Sequence, residues 1–183
     1  MKVNKPLLYS LAVGAVLAVA LWQGIFPGLR SRPGKWGNGA DLRRVPNFEF
    51  VDFRGERRNL ADYSGRVILI NFWASWCPPC SVEIPRMNEL YRQYRDKGLT
   101  VIGVSLDRQR PDDMRHLIDE LGVDFVNIPG DANFVEKFGG ISGVGPITAI
   151  PTTVIIDRRG RVFKTFVGLV EKKTFEEAVR DLL

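Results

Sequence analysis

Hydropathy divides the chain in two. No charge falls in the 24 positions between Lys5 and Arg30, and the centre of that gap, Leu7 to Phe26, reads LLYSLAVGAVLAVALWQGIF. Only Ser10 and Gln23 are clearly polar there. As a helix these 20 residues extend about 30 Å, enough to cross a bilayer's hydrocarbon core. The pattern predicts a single transmembrane helix with Trp22 at an interface. Lys2, Lys5 and Ala18-Val19-Ala20 also fit a cleaved signal peptide. The apolar run continues past that tripeptide without a polar c-region, which favours an uncleaved anchor. Either reading exports the remainder. PGLRSRPGKWGNG (27–39) is dense in Pro, Gly and basic residues and has no apolar periodicity, the signature of a tether that can rest on anionic lipid headgroups. The expected organisation is an anchor at 1–26, a linker at 27–45 and one soluble domain at 46–183.

In that domain the runs shorten. NFEFVDF (47–53) sets Phe48 and Phe50 against Glu49 and Asp52 in a strand-like alternation, and a short strand to Leu60 follows the turn at Arg54-Gly55. RVILINFWA (66–74) is an almost unbroken apolar run, as expected of a central strand covered on both faces. Ile84, Met87, Leu90, Tyr91 and Tyr94 then recur at helical spacing up to Lys97, with Pro78 and Pro79 in the first turn and Gly98 as the stop. LTVIGVSL (99–106) predicts a second buried strand and PDDMRHLIDEL (111–121) a helix. Val123 to Ile128 reads as a short strand, NFVEKF (133–138) as a turn or two of helix, and 152–157 with 161–167 as a hairpin about Arg158-Arg159-Gly160. Lys172 to Leu183 closes with a helix. The order predicts an α/β sandwich: a mixed sheet with helices on both faces.

Composition narrows the chemistry. At 45% hydrophobic and 26% charged over 183 residues, the chain is neither disordered nor collagen-like. Two cysteines exclude a disulfide-dense scaffold and a four-cysteine zinc module. One histidine excludes any site with two imidazoles. A Cys-His or Ser-His-Asp site would have to use His116, which sits mid-helix beside Arg115 and Asp119 and reads as solvent-facing. The net charge is +5; beyond Lys2 and Lys5 it is 24 basic against 21 acidic residues, or +3. That charge is scattered, without the basic stripe or stacking aromatics of a nucleic-acid binder. Arg30, Arg32, Lys35, Arg43 and Arg44 follow the apolar span, so a positive-inside count alone places the domain in the cytoplasm. Long domains override that count, and the thiol chemistry below fits an exported domain, so N-in/C-out is expected.

Both cysteines lie in Cys77-Pro78-Pro79-Cys80, where the buried strand turns into a helix. Free N–H groups and the macrodipole of a helix N-terminus stabilise a thiolate, which is the nucleophilic form. The second cysteine, one turn on, can close a disulfide. The prolines stiffen the turn and remove backbone donors. A structural zinc site lacks ligands, and a structural disulfide across so short a loop constrains the unfolded chain little. The junction favours a redox-active dithiol.

NFWASWCPPCSVEIP (71–85) resembles the active-site stretch of membrane-anchored thioredoxin-like proteins of the TlpA, ResA and CcmG (DsbE) type. PNFEFVDFRGERRNLADYSGRVILINFWA (46–74) and AIPTTVIIDRRGRV (149–162) are similar to that family's opening hairpin with first central strand and to its cis-proline loop. The resemblance spans about 46–183. It implies a thioredoxin-like fold with an N-terminal β-hairpin and a central insertion, here within about 107–138. It also implies a single inner-membrane anchor and a catalytic domain on the periplasmic or outer side. Cys77 matches the exposed attacking cysteine and Cys80 the resolving one, paired as the redox disulfide. Pro151, after Ile150, matches the cis-proline that faces the dithiol and helps bind the client chain. Glu83 matches an acidic residue on the same helix face as Cys80, placed to relay a proton; the alternative is a solvated first-turn charge. Asn71 stands where cytoplasmic thioredoxins carry a buried aspartate, which puts more weight on Glu83. Trp76, with Pro78 and Pro79, shapes the docking surface, while Trp73 reads as packing. GGISGVGPITAI (139–150) is longer than the family's usual approach to the cis-proline, so client choice can differ.

The implied activity is reduction of protein disulfides, with apocytochrome c in cytochrome c maturation as the expected client and a membrane thiol donor as the electron source. No cofactor beyond the cysteine pair and no metal are expected. A peroxiredoxin-like thiol peroxidase usually sets a Thr a few residues before one catalytic Cys, where this chain has Ser75 and Trp76 and a second Cys. A copper chaperone for oxidase assembly would use a wider CxxxC and a distal His, and His116 falls in the wrong type of segment.

Overall fold

In the computed structural model, which describes residues 44–183, a hairpin of β1 (Glu49–Val51) and β2 (Arg57–Asn59) precedes the main sheet. The expected anchor and the linker up to residue 43 lie outside the described residues. Among the described residues no helix is long and apolar enough to cross a membrane. The sheet comprises β3 (Val67–Trp73), β4 (Leu99–Ser105), β5 (Val126–Pro129), β6 (Thr152–Ile156) and β7 (Val162–Val167), in the order β5-β4-β3-β6-β7. β4 runs parallel to β3 and β5, and β6 antiparallel to β3 and β7. The helices are α1 (Pro78–Tyr94), α2 (Pro111–Glu120), α3 (Ala132–Gly139) and α4 (Lys172–Arg180).

The apolar runs form central strands because both faces of the sheet are covered. All seven positions of β3, and all seven of β4, are buried. Val67, Leu69 and Trp73 face Ile84, Met87 and Leu90 of α1, Met114 and Ile118 of α2, and Phe175 and Val179 of α4. Ile68, Ile70 and Phe72 face the opposite way, against Leu60, Phe138 of α3, Ile141 and Val144. The hairpin is fastened to this second face by Phe48, whose ring lies 5.1 Å from Phe134 and 5.7 Å from Phe138. The mixed sheet with helices on both faces is as the pattern predicts.

Two boundaries differ from expectation. Residues 123–125 are not strand, because the β4 ladder starts at Ile102 opposite Val126 and the Asp124 N–H donates to Asn88 Oδ1 of α1 instead (2.9 Å). α1 stops at Tyr94, a 3-10 turn covers Arg95–Lys97, and Gly98 (φ 105°) takes the left-handed conformation that releases the chain into β4. Asp52, polar and two residues on from Phe50, is buried. It accepts from Arg58 Nε (2.8 Å) and from the N–H groups of Arg54 and Glu56 (2.9 Å each), clamping the hairpin turn.

Candidate active site

The site begins where β3 ends. Ser75, in the connection to α1, donates its N–H and its Oγ–H to the Asp107 carboxylate (2.9 and 2.6 Å). Asp107 also accepts from Ser105 Oγ (2.8 Å), which ties the connection to the end of β4. Cys77 is the N-cap of α1, and Pro78 and Pro79 take its first two helical positions. Neither proline carries an N–H. Cys80 therefore supplies the first donor of the helix, and its N–H reaches Cys77 Sγ at 3.3 Å. Cys77 and Cys80 are joined as a disulfide, with Cα atoms 5.3 Å apart.

Cys77, expected to be exposed, retains only 4% exposure and Cys80 none. The cause is the loop before β6. The Ile150–Pro151 bond is cis, and the Ile150 carbonyl oxygen sits 3.8 Å from Cys77 Sγ. That contact becomes a thiol hydrogen bond only when the pair is reduced. Of the predicted docking residues, Trp76 is 67% exposed and Pro78 is exposed. Pro79 and Ile150 are half-buried and Pro151 is buried, so around Pro151 the chain offers backbone and neighbours rather than the proline ring. Val82, Val167 and Leu169 are further exposed apolar residues, which the sequence reading did not single out.

Glu83 lies in the second turn of α1 and is 1% exposed, not a solvated first-turn charge. Asn71 Nδ2 donates to its Oε2 (2.9 Å), Thr153 Oγ1 approaches the same oxygen at 3.5 Å, and the Val170 N–H donates to Oε1 (2.9 Å). Burial raises its pKa from 4.5 to about 7 against the pull of these donors and of Arg86. Asn71 Nδ2 also donates to Thr153 Oγ1 (2.9 Å), which links β3 to β6 across the site. Asn71 and Glu83, singled out separately in the sequence, thus form one buried network. Thr153, Val170 and Asp107 were missed. Thr153, two residues after Pro151 in an apolar strand, carried a faint polar signal. Val170 acts through its backbone and carried none.

Trp73 packs inward as expected and donates Nε1–H to Asn127 Oδ1 (3.0 Å). Gly103 makes room for this: a Cβ there would stand 2.0 Å from that oxygen. The 139–150 segment is anchored at two apolar positions with exposed residues between and after them. Ile141 and Val144 are buried, and Gly143 O accepts from Thr165 Oγ1 (2.7 Å). His116 is exposed. Among the described residues no group of three or more His, Cys, Asp or Glu is placed to hold a metal ion.

A strand-to-helix dithiol under a cis-proline loop is the arrangement of a thiol–disulfide exchange site, and residues 42–182 match the Redoxin family. The chain belongs to the redoxin family. This redoxin is 31% identical to a thiol-disulfide oxidoreductase ResA of Bacillus thuringiensis over 176 residues, 96% of this chain and 95% of the relative. It is 28% identical to the ResA of Geobacillus kaustophilus, covering 100% of this chain and 99% of that one. Among solved structures it is similar to a thiol:disulfide interchange protein of the thioredoxin family from Chlorobium tepidum TLS. That match has a TM-score of 0.70 and 28% identity, over 79% of this chain and 98% of the other. A putative DsbE from Chlorobium tepidum matches at TM-score 0.66 and 28% identity, over 76% and 94%. The redoxin has a thioredoxin-like fold and is a thiol–disulfide oxidoreductase whose redox centre is a cysteine pair.

Proposed function

We propose that this redoxin is a reductant of protein disulfides, tethered to the inner membrane by residues 7–26 with its domain on the periplasmic or outer side. Its clients are the haem-binding cysteines of apocytochrome c, kept open for ligation in cytochrome c maturation. The observation that carries the reading is the pairing of the Cys77–Cys80 disulfide at the start of α1 with the buried Glu83 carboxyl on the same helix.

In the reduced protein the Cys77 thiolate attacks a client disulfide, forming a mixed disulfide as one client sulfur leaves. Cys80 then gives its proton to the Glu83 carboxylate and attacks Cys77 Sγ. The Cys77–Cys80 bond forms, the second client sulfur leaves, and two electrons have passed to the client. A membrane thiol donor restores the dithiol. The local chemistry supports this direction. A strong oxidant owes its potential to a well-stabilised reduced form. Here the two prolines withhold donors from Cys77, and the Ile150 carbonyl faces its sulfur. Both features limit stabilisation of a Cys77 thiolate, the reverse of what a strong oxidant needs. Trp76, Pro78, Pro79 and the Ile150–Pro151 backbone form the docking surface.

The test is reduction of a disulfide-bonded peptide carrying an apocytochrome haem-binding sequence. Wild type is expected to open it, Cys77→Ser to be inactive, and Cys80→Ser to accumulate the mixed disulfide. Turnover by Cys77→Ser would overturn the mechanism. Reduction of unrelated disulfides at the same rate would overturn the choice of client.

A further inference from the structure

The turn between β7 and α4 touches both halves of the site. Its Gly168 N–H donates to Pro151 O (2.7 Å), beside the client-facing loop. Two residues on, the Val170 N–H donates to Glu83 Oε1 (2.9 Å), on the helix that carries Cys80 three residues earlier. Between them Leu169 points outward at 46% exposure, next to Val167 at 67%. The turn is also fastened to α1 from behind, because Arg86 Nη1 lies 2.9 Å from Glu171 Oε1. A client lying along Pro151 would lie beside the backbone that also holds the Glu83 carboxyl.

We propose that the Gly168–Val170 turn is a positioning segment that couples client docking to the proton on Glu83. A client seated over Pro151 and Leu169 presses the turn inward and tightens the Val170 N–H···Glu83 bond. The inference rests on the reading of Glu83 as the proton acceptor for Cys80. Its direction follows from burial. Glu83 is already 1% exposed, so a docked client removes little further water. The tightened donor then dominates and favours the carboxylate. Docking thus readies the base for the Cys80 proton when a client is present. The groups around Glu83 leave room for this control. Arg86 of α1 is its charged neighbour and is shared with Glu171. β3 and β6 offer the non-titrating Asn71 and Thr153. Lys172 of α4 is held by Glu89, and Lys164 of β7 lies over the Phe166 ring.

The experiment follows the Val170 amide by NMR across pH in full-length Cys80→Ser protein in detergent micelles. Cys77 is capped in one sample by a methylthio group and in the other by a short peptide with apolar residues flanking its single cysteine. In the methylthio form the amide is expected to titrate with Glu83, and to stop doing so in Glu83→Gln. In the peptide form the midpoint is expected to fall by about half a pH unit, a roughly threefold drop in proton affinity. Leu169→Ser, at an exposed position, should abolish that fall. A midpoint that stays or rises with the peptide, or an amide indifferent to Glu83→Gln, overturns the coupling. The pH profile of peptide reduction separates the underlying reading. If Glu83→Gln leaves that profile unchanged while the Val170 midpoint still falls, the coupling stands and the proton-acceptor role does not.

Discussion

At Glu83 burial and hydrogen bonding pull in opposite directions, and burial wins. The carboxyl is held near pH 7 instead of 4.5 although three donors face it. A raised folded-state pKa means that the native protein binds more protons than the unfolded chain between those values, so stability falls as pH rises there. The contribution is fully present below about pH 4.5 and is lost once pH has risen through 7. Its size is about 3 kcal/mol at 1.36 kcal/mol per unit. Denaturant unfolding of the oxidised protein at the two ends of that range should show wild type losing about this much stability relative to Glu83→Gln as pH rises. A wild-type-minus-variant difference independent of pH would place Glu83 in water. The network also explains why a residue as ordinary as Asn71 is buried. Its amide donates to both Glu83 and Thr153, so Asn71→Leu leaves both acceptors short of a donor. That variant should shift the pH profile of disulfide reduction upward.

Elements built on period and run length were legible, and elements held by side-chain clamps were not. The continuous apolar runs of β3 and β4, the helical spacing from Ile84 to Tyr94 and the hairpin about Gly160 all follow from pattern alone. Cys77 and Cys80 were legible because a CxxC at a strand–helix junction carries its own logic. The fate of 123–125 was not, since Asn88 of α1 takes the Asp124 N–H, and no local periodicity records such a partner. Asp107 is the same kind of case: one carboxylate just past β4 fixes the connection that presents Trp76 and Cys77. Asp107→Ala is expected to cost roughly 1 kcal/mol of stability and to slow peptide-disulfide reduction, measured by unfolding and by turnover. An unchanged rate would show that the connection holds its shape without the clamp. On the opposite face, Phe138 is fully buried and its ring meets Phe48, Phe72 and Phe134. Phe138→Ala should cost about 3–5 kcal/mol and free the hairpin, seen as faster amide exchange at β1 and β2.

Among the described residues, separate segments meet at the end of the sheet away from the cysteines, around Arg158. Its guanidinium donates to the carbonyl oxygens of Gly65 (2.9 Å), Lys97 (3.3 Å), Leu182 (2.9 Å) and Leu183. Arg158→Ala is expected to lower the denaturant midpoint without moving the redox potential, and Arg158→Lys not to restore it, because a point charge cannot reach several carbonyls as a planar fork does. The charge-free stretch from Leu7 to Phe26 and the basic residues after it frame the proposal of an exported, tethered domain. A membrane-impermeant maleimide should label reduced Cys77 in intact cells if the domain lies outside, and only after lysis if the positive-inside count decides the topology. The proposed function requires electrons to flow from the dithiol to the client, and the midpoint potential of the Cys77–Cys80 couple tests that direction most directly. A value near that of thioredoxin, roughly −270 mV, is expected of a reductant. A value near roughly −120 mV would make the protein an oxidant and contradict the account.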